Sequence, residues 1–219
     1  MTFSILVRDP ETGAFGGAAA TGNLCVGAWV LRGDVRVGMT ASQGLYPNPL
    51  WSPRLLDLMS AGGGAAEALR QIVYADSGRE VRQLAVLDRD GGTAVHSGAK
   101  NLDYYGHIAA DGLIVAGNML ESRAVLEALV DAFSSATDAL AARLISALSA
   151  GAAAGGDFRG LLSAAVLVVS ADEPPLDLRI DVAPDPLHAL DDLYRRTLEP
   201  AYRDWLHRIP TVNSPERAP

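Results

Sequence analysis

Residues 162–170, LSAAVLVVS, constrain this chain most. Successive side chains of a strand point to opposite faces, and here both faces are apolar, so the sheet that holds this strand must be covered on both sides. Residues 2–8, TFSILVR, alternate instead. Phe3, Ile5 and Val7 point one way, and Thr2, Ser4, Leu6 and Arg8 the other. DPETG at 9–13 supplies the residues of a tight turn, which predicts an antiparallel return over 14–21. Apolar stretches near 25–31 and 35–42 are expected to extend the sheet.

The period then changes. Ser52 and Pro53 read as a helix cap and first turn, followed by Leu55, Leu58 and Met59 at helical spacing. A second helix carries Leu69, Ile72 and Val73, and VRQLAVLD reads as a strand. The pattern recurs with strands near 93–97, 104–109 and 112–117, then helices with Leu126, Leu129, Val130 and Phe133 and with Leu144, Ile145 and Leu148. Asp185 and Pro186 cap a last helix, which Pro200 should interrupt. This order predicts an α+β fold, a four-layer αββα sandwich of two mainly antiparallel sheets. One domain is expected over 1–208, with a flexible tail at 209–219.

Composition narrows the function. With 49% hydrophobic and 20% charged residues, the 219-residue chain can bury a sizeable core. Eighteen basic against twenty-six acidic residues give a net charge of −8 with no basic stripe, so nucleic acid is not an expected partner. The single cysteine, Cys25, cannot form an internal disulfide, and no Cys/His spacing suits zinc, so no metal site or cofactor is expected. Residues 12–31 form an uncharged run of membrane-spanning length, but its five glycines and flanking turn signals fit two buried strands better. A cytoplasmic protein without a membrane partner is expected.

Thr2 carries the sharpest chemical possibility. Methionine before a small residue is normally trimmed, which would leave Thr2 with both a hydroxyl and a free α-amine. An amine of pKa about 7.7–8.0 can take the hydroxyl proton, so nucleophile and base would sit in one residue. The plain alternative is that a β-branched threonine opens a strand. An oxyanion would need nearby amide donors. Candidates at strand ends and in Gly-rich loops are Thr21, Asn23, Ser42, Gln43, Asn48 and Asn118, each also suited to a turn or cap. His96 and Ser97 are adjacent on a strand, point to opposite faces and so do not make a nucleophile–base pair. Asp157 and Arg159 in AGGDFRG either pair with each other or hold a substrate carboxylate. GGAAATG lacks the lysine of a phosphate cradle.

Five segments in order, TFSILVRDPETG, HSGAKNLDYYGH, AGNML, GGDFRGLLSAAVLVV and DLRIDVAPDP, resemble the family of domain of unknown function 1028, whose members look like N-terminal nucleophile (Ntn) hydrolases. The resemblance implies a four-layer sandwich and a metal-free amidohydrolase acting on a small amide or peptide-like substrate. It implies Thr2 as the nucleophile, with Ser4 on its face, and matches His96, Asp103, Gly106, Asn118, Asp157, Arg159 and Ser163 to recurrent family positions. Thr2, Asn23 and Asn118 are the expected catalytic residues. Ser4, Thr21, Ser42, Gln43, Asn48, His96, Asp103, Asp157 and Arg159 are the expected binding residues. Two positions depart from the family pattern: TGN at 21–23 replaces a serine followed by a basic residue, and Leu162 replaces glutamine. The alternative is a noncatalytic ligand-binding or interaction protein with the same fold. A homo-oligomer, with a dimer as its simplest form, is expected in either case.

Overall fold

The structure is a computed structural model and describes residues 2–102, 104–156 and 160–218. The expected first hairpin forms from β1 (Thr2–Arg8) and β2 (Phe15–Thr21), closed by backbone bonds between Asp9 and both Gly13 and Ala14. A short helix α1 (Val26–Trp29) leads into β3 (Leu31–Asp34) and β4 (Gly38–Gly44). Helices α2 (Trp51–Ser60) and α3 (Ala65–Tyr74) precede β5 (Arg82–Asp88), β6 (Thr93–Ser97), β7 (Tyr104–Ala110) and β8 (Leu113–Leu120). Helices α4 (Ala124–Ser135) and α5 (Leu140–Ala153) are followed by β9 (Ser163–Val169), β10 (Leu176–Ile180), α6 (Pro186–Thr197) and α7 (Pro200–Leu206).

The strands form a six-stranded sheet, β10-β9-β2-β1-β8-β7, and a four-stranded sheet, β3-β4-β5-β6, antiparallel throughout. Three apolar clusters separate four layers. Phe3, Ile5 and Val7 pack with Leu126, Leu129, Leu144 and Leu148 under α4 and α5. Leu6, Met39, Leu87 and Ile114 fill the space between the sheets. Leu84 and Val86 pack with Trp51, Leu55 and Ile72 beneath α2 and α3. The αββα sandwich expected from the order of elements is therefore the fold. β9 lies inside the larger sheet with Ala164 and Val166 facing the helices and Ala165 and Val169 facing the other sheet, as its doubly apolar sequence requires.

Three local expectations need correction. Residues 25–31 are not one strand: Cys25 adopts a left-handed backbone (φ 59°), and Val26–Trp29 turns helically before β3. The run 12–31 accordingly divides into β2 and α1, and no described helix is long and apolar enough to cross a membrane. Helix α2 begins one residue before Ser52, because the Asn48 carboxamide accepts the Leu50 N–H and starts the turn earlier. The Asp185 cap and the break before Pro200 form as expected, Asp185 Oδ1 accepting the His188 N–H at 3.1 Å. Residues 209–218 lie against the body, with Asn213 donating from its backbone to Ala171 O and from its side chain to Asp172.

Candidate functional site

The alternation of β1 places Thr2, Ser4 and Leu6 on the side facing the other sheet, because Phe3, Ile5 and Val7 are taken by the helix side. Leu6 is in apolar packing, and Ser4 donates to Ala116 O at 3.5 Å. Thr2 lines a cavity of about 590 Å³, a size that accommodates small-molecule ligands. Thr2 pairs with Thr21 on one side and Asn118 on the other, and its hydroxyl donates to Thr21 Oγ1 at 3.1 Å.

Behind Thr2, Gln43, Gln83 and Asn118 form an amide network between the sheets, each at most 1% exposed. The two N–H groups of Gln83 Nε2 are shared among Gly106 O, Gly117 O and Ser97 Oγ at 3.2, 3.0 and 2.8 Å. Two of these partners are backbone carbonyls, which only accept, so the Gln83 nitrogen must face them and its Oε1 must face the site. That oxygen accepts from Gln43 Nε2 (2.7 Å) and Asn118 Nδ2 (3.3 Å), and Gln43 Nε2 also reaches Thr2 O at 3.5 Å. Gln43 Oε1 and Asn118 Oδ1 are buried and accept no hydrogen bond among the described residues. Unsatisfied buried polar atoms are costly, so such atoms beside a cavity mark places where a ligand or water can bond.

Two walls complete the cavity. One is residues 23–30, fixed by buried Ser163, whose hydroxyl donates to Asn23 O (2.7 Å) and accepts the Val26 N–H (3.1 Å). The other is residues 44–47, tied by the Asn101 side chain to Leu45 N and by the Arg82 guanidinium to Tyr46 O. Gly44 turns this wall with φ 124°, where a Cβ would lie 2.7 Å from Val81 O. Among the described residues, the only non-glycine positions with a left-handed backbone are Cys25 and Met119, both in the cavity lining. Backbone strain of this kind concentrates at functional sites.

Of the residues expected at the site, Thr2, Thr21, Asn23 and Gln43 line the cavity. Asn118 adjoins Thr2 through strand pairing, and Ser4 lies deeper on the same face. Ser42, Asn48 and His96 do not line it. Ser42 falls on the opposite face of β4 from Gln43 and donates to Asn48 O. Asn48 accepts the Leu50 N–H just ahead of α2 and donates to Asp76 at 2.8 Å. His96 packs edge-on to Trp51, with Nε2 3.0 Å from Arg79 O. Ser97 turns the other way and meets Gln83, as their adjacency predicts. Asp103, Asp157 and Arg159 lie outside the described residues. Among the described residues, no group of three metal-ligating side chains occurs.

Sequence reasoning missed Gln83. It holds the inward parity of β5 with Ala85 and Leu87, so a glutamine in that register was a readable sign of a buried polar site.

A family model described as "Family of unknown function (DUF1028)" matches residues 2–190. A crystal structure of a Silicibacter pomeroyi protein of the same family is similar over 99% of this chain and 95% of that one, at 45% identity and a TM-score of 0.95. No match was found among curated proteins. The chain belongs to the DUF1028 family.

Proposed function

We propose that this protein is an N-terminal nucleophile amidohydrolase acting on a small amide through Thr2. The observation that carries this reading is the position of Thr2: the tip of a central strand, buried, with its hydroxyl held by Thr21 beside a cavity large enough for a guest. The chemistry requires cleavage of the peptide bond before Thr2. The freed α-amine then takes the proton of Oγ1 as that oxygen attacks the substrate carbonyl carbon.

The oxyanion that forms needs donors already in place. Asn118 Nδ2 spends one N–H on Gln83 and keeps a second, next to Thr2 in the paired strand. Asn23 offers its amide from the cavity edge. As the C–N bond breaks, the ammonium returns its proton to the leaving amine. The acyl group stays on Oγ1 as an ester until water, deprotonated by the same amine, releases the acid.

The test is an amide-hydrolysis assay on wild type and Thr2→Ala, with intact mass to establish which residue is N-terminal. The expected result is an acyl adduct on Thr2 and loss of turnover by a factor of about 10³ or more in the variant. Turnover that survives the substitution, or a wild-type protein in which Thr2 remains acylated by a preceding residue while active, overturns the proposal.

A further inference from the structure

The geometry points to an uncharged, apolar substrate class for this cavity: amides carrying an aromatic or branched aliphatic group, seated between the 24–30 wall and the 44–47 wall. This inference rests on the cavity proposed above as the active site. Its polar side chains are Thr2, Thr21 and Gln43, which are buried, and Asn23 and Tyr46, which are exposed at the rim. The remainder is lined by Val26 and Val30 at depth and by Leu24, Trp29 and Tyr46 toward solvent. Among the described residues that line the cavity, no side chain carries a charge, and the α-amine freed at Thr2 places one only beside the reacting hydroxyl.

The outer residues are set apart by their clustering at one opening. Leu24, Trp29 and Tyr46 are 50, 52 and 67% exposed, so three large apolar side chains around one opening face water. Covering them is favourable in proportion to the apolar area removed from water, whereas an anion placed against them would lose hydration without gaining a partner and a cation would recover only part of its hydration from the Trp29 and Tyr46 rings.

The walls are also held in place before any ligand arrives. Arg32 donates to the carbonyls of Gly27, Ala28 and Leu31, which fixes the turn that carries Trp29, and Ser163 fixes its start. Arg82 fixes Tyr46 from the other side through its carbonyl. A preorganised apolar slot ending in hydroxyls and carboxamides suits a ligand that is greasy at one end and hydrogen-bonding at the other.

The experiment compares three compounds of one skeleton: phenylacetamide, 4-carboxyphenylacetamide and 4-(aminomethyl)phenylacetamide. Binding is measured by calorimetry on wild type, Thr2→Ala, Trp29→Ala and Trp205→Ala, and release of ammonia is measured in parallel. The neutral amide is expected to bind wild type and Thr2→Ala at least tenfold more tightly than either charged analogue. Trp29→Ala should weaken the neutral ligand by about tenfold and leave the charged ones unchanged, while Trp205→Ala on α7 should do neither. Equal or tighter binding of a charged analogue, or indifference to Trp29→Ala, overturns the inference even if the amides are hydrolysed. Selective neutral binding without ammonia release by wild type supports the inference and counts instead against the hydrolase reading.

Discussion

Thr2 and Leu6 stand on the same face of the same strand, about 13 Å apart at the ordinary rise of a β-strand, and the space between the sheets changes character over that distance. At Leu6 it is closed and apolar, packed by Met39, Leu87 and Ile114. At Thr2 it holds three buried carboxamides and opens into a cavity. The two sheets are continuous through both regions, so the architecture alone does not make a site. What differs is the identity of the inward residue on each strand: Leu6, Met39 and Leu87 at one end, Thr2, Gln43 and Gln83 at the other. Close packing at the first end holds the sheets together, and the second end can then tolerate polar atoms without partners.

The largest expected effect separates the two ends completely. Thr2→Ala should remove turnover by a factor of about 10³ or more while shifting the melting temperature by only a few degrees, since it deletes one hydroxyl pair. Leu6→Ala should do the reverse. It opens a void in a fully buried cluster and is expected to cost about 2–5 kcal/mol in denaturant unfolding, with ligand affinity of the folded fraction unchanged. If both substitutions lowered stability and binding together, the division between scaffold end and working end would be wrong.

An intermediate effect is expected where the two ends meet. Gln83→Met keeps the volume but leaves the Gln43 and Asn118 amides and two backbone carbonyls without their partner, at about 2 kcal/mol in urea unfolding. It should also weaken amide binding, whereas Leu87→Met, on the same strand and face, should not. The smallest effect concerns the outer wall. Burial would raise the Asp76 carboxyl, but hydrogen bonds from Asn48 and Gly78 N–H and the charge of Arg82 together hold it below the ordinary carboxylate value. A lowered folded pKa means that the stabilisation is present above the unfolded value of about 3.9 and is lost as pH falls through the folded one. Acid should therefore loosen the 45–50 segment, detected as faster amide exchange at Tyr46 below about pH 4. In Asp76→Asn that segment should exchange faster at neutral pH and respond less to acid.

Much of this contrast was legible in the sequence, and the limits are physical. The alternation of residues 2–8 fixed which side of β1 Thr2 would share with Leu6, and the doubly apolar run at 162–170 required a sheet covered on both faces. The turn at Val26–Trp29 was not legible, because an apolar run fits a strand or a buried helix equally well and the deciding interaction comes from Ser163, more than a hundred residues away. Nor did the sequence say that Gln43 faces the cavity while Ser42, its neighbour, faces the helices. That depends on which face of β4 meets the other sheet. Asn48 and His96 carry polar groups suited to a site but are consumed by a helix start and an aromatic contact, choices that only tertiary packing makes.

Cys25 and Met119 have a consequence for any attempt to toughen this protein. A side chain in the left-handed region works against the fold by about 1–2 kcal/mol, and glycine there would release that tension. Both residues border the chamber at Thr2, so the released tension would come from the walls that shape a guest. At 119 the packing of Met119 against the helix-side core outweighs that gain, so variants chosen only for heat resistance would drift toward glycine at 25, and the hardiest of them should be the least discriminating hosts.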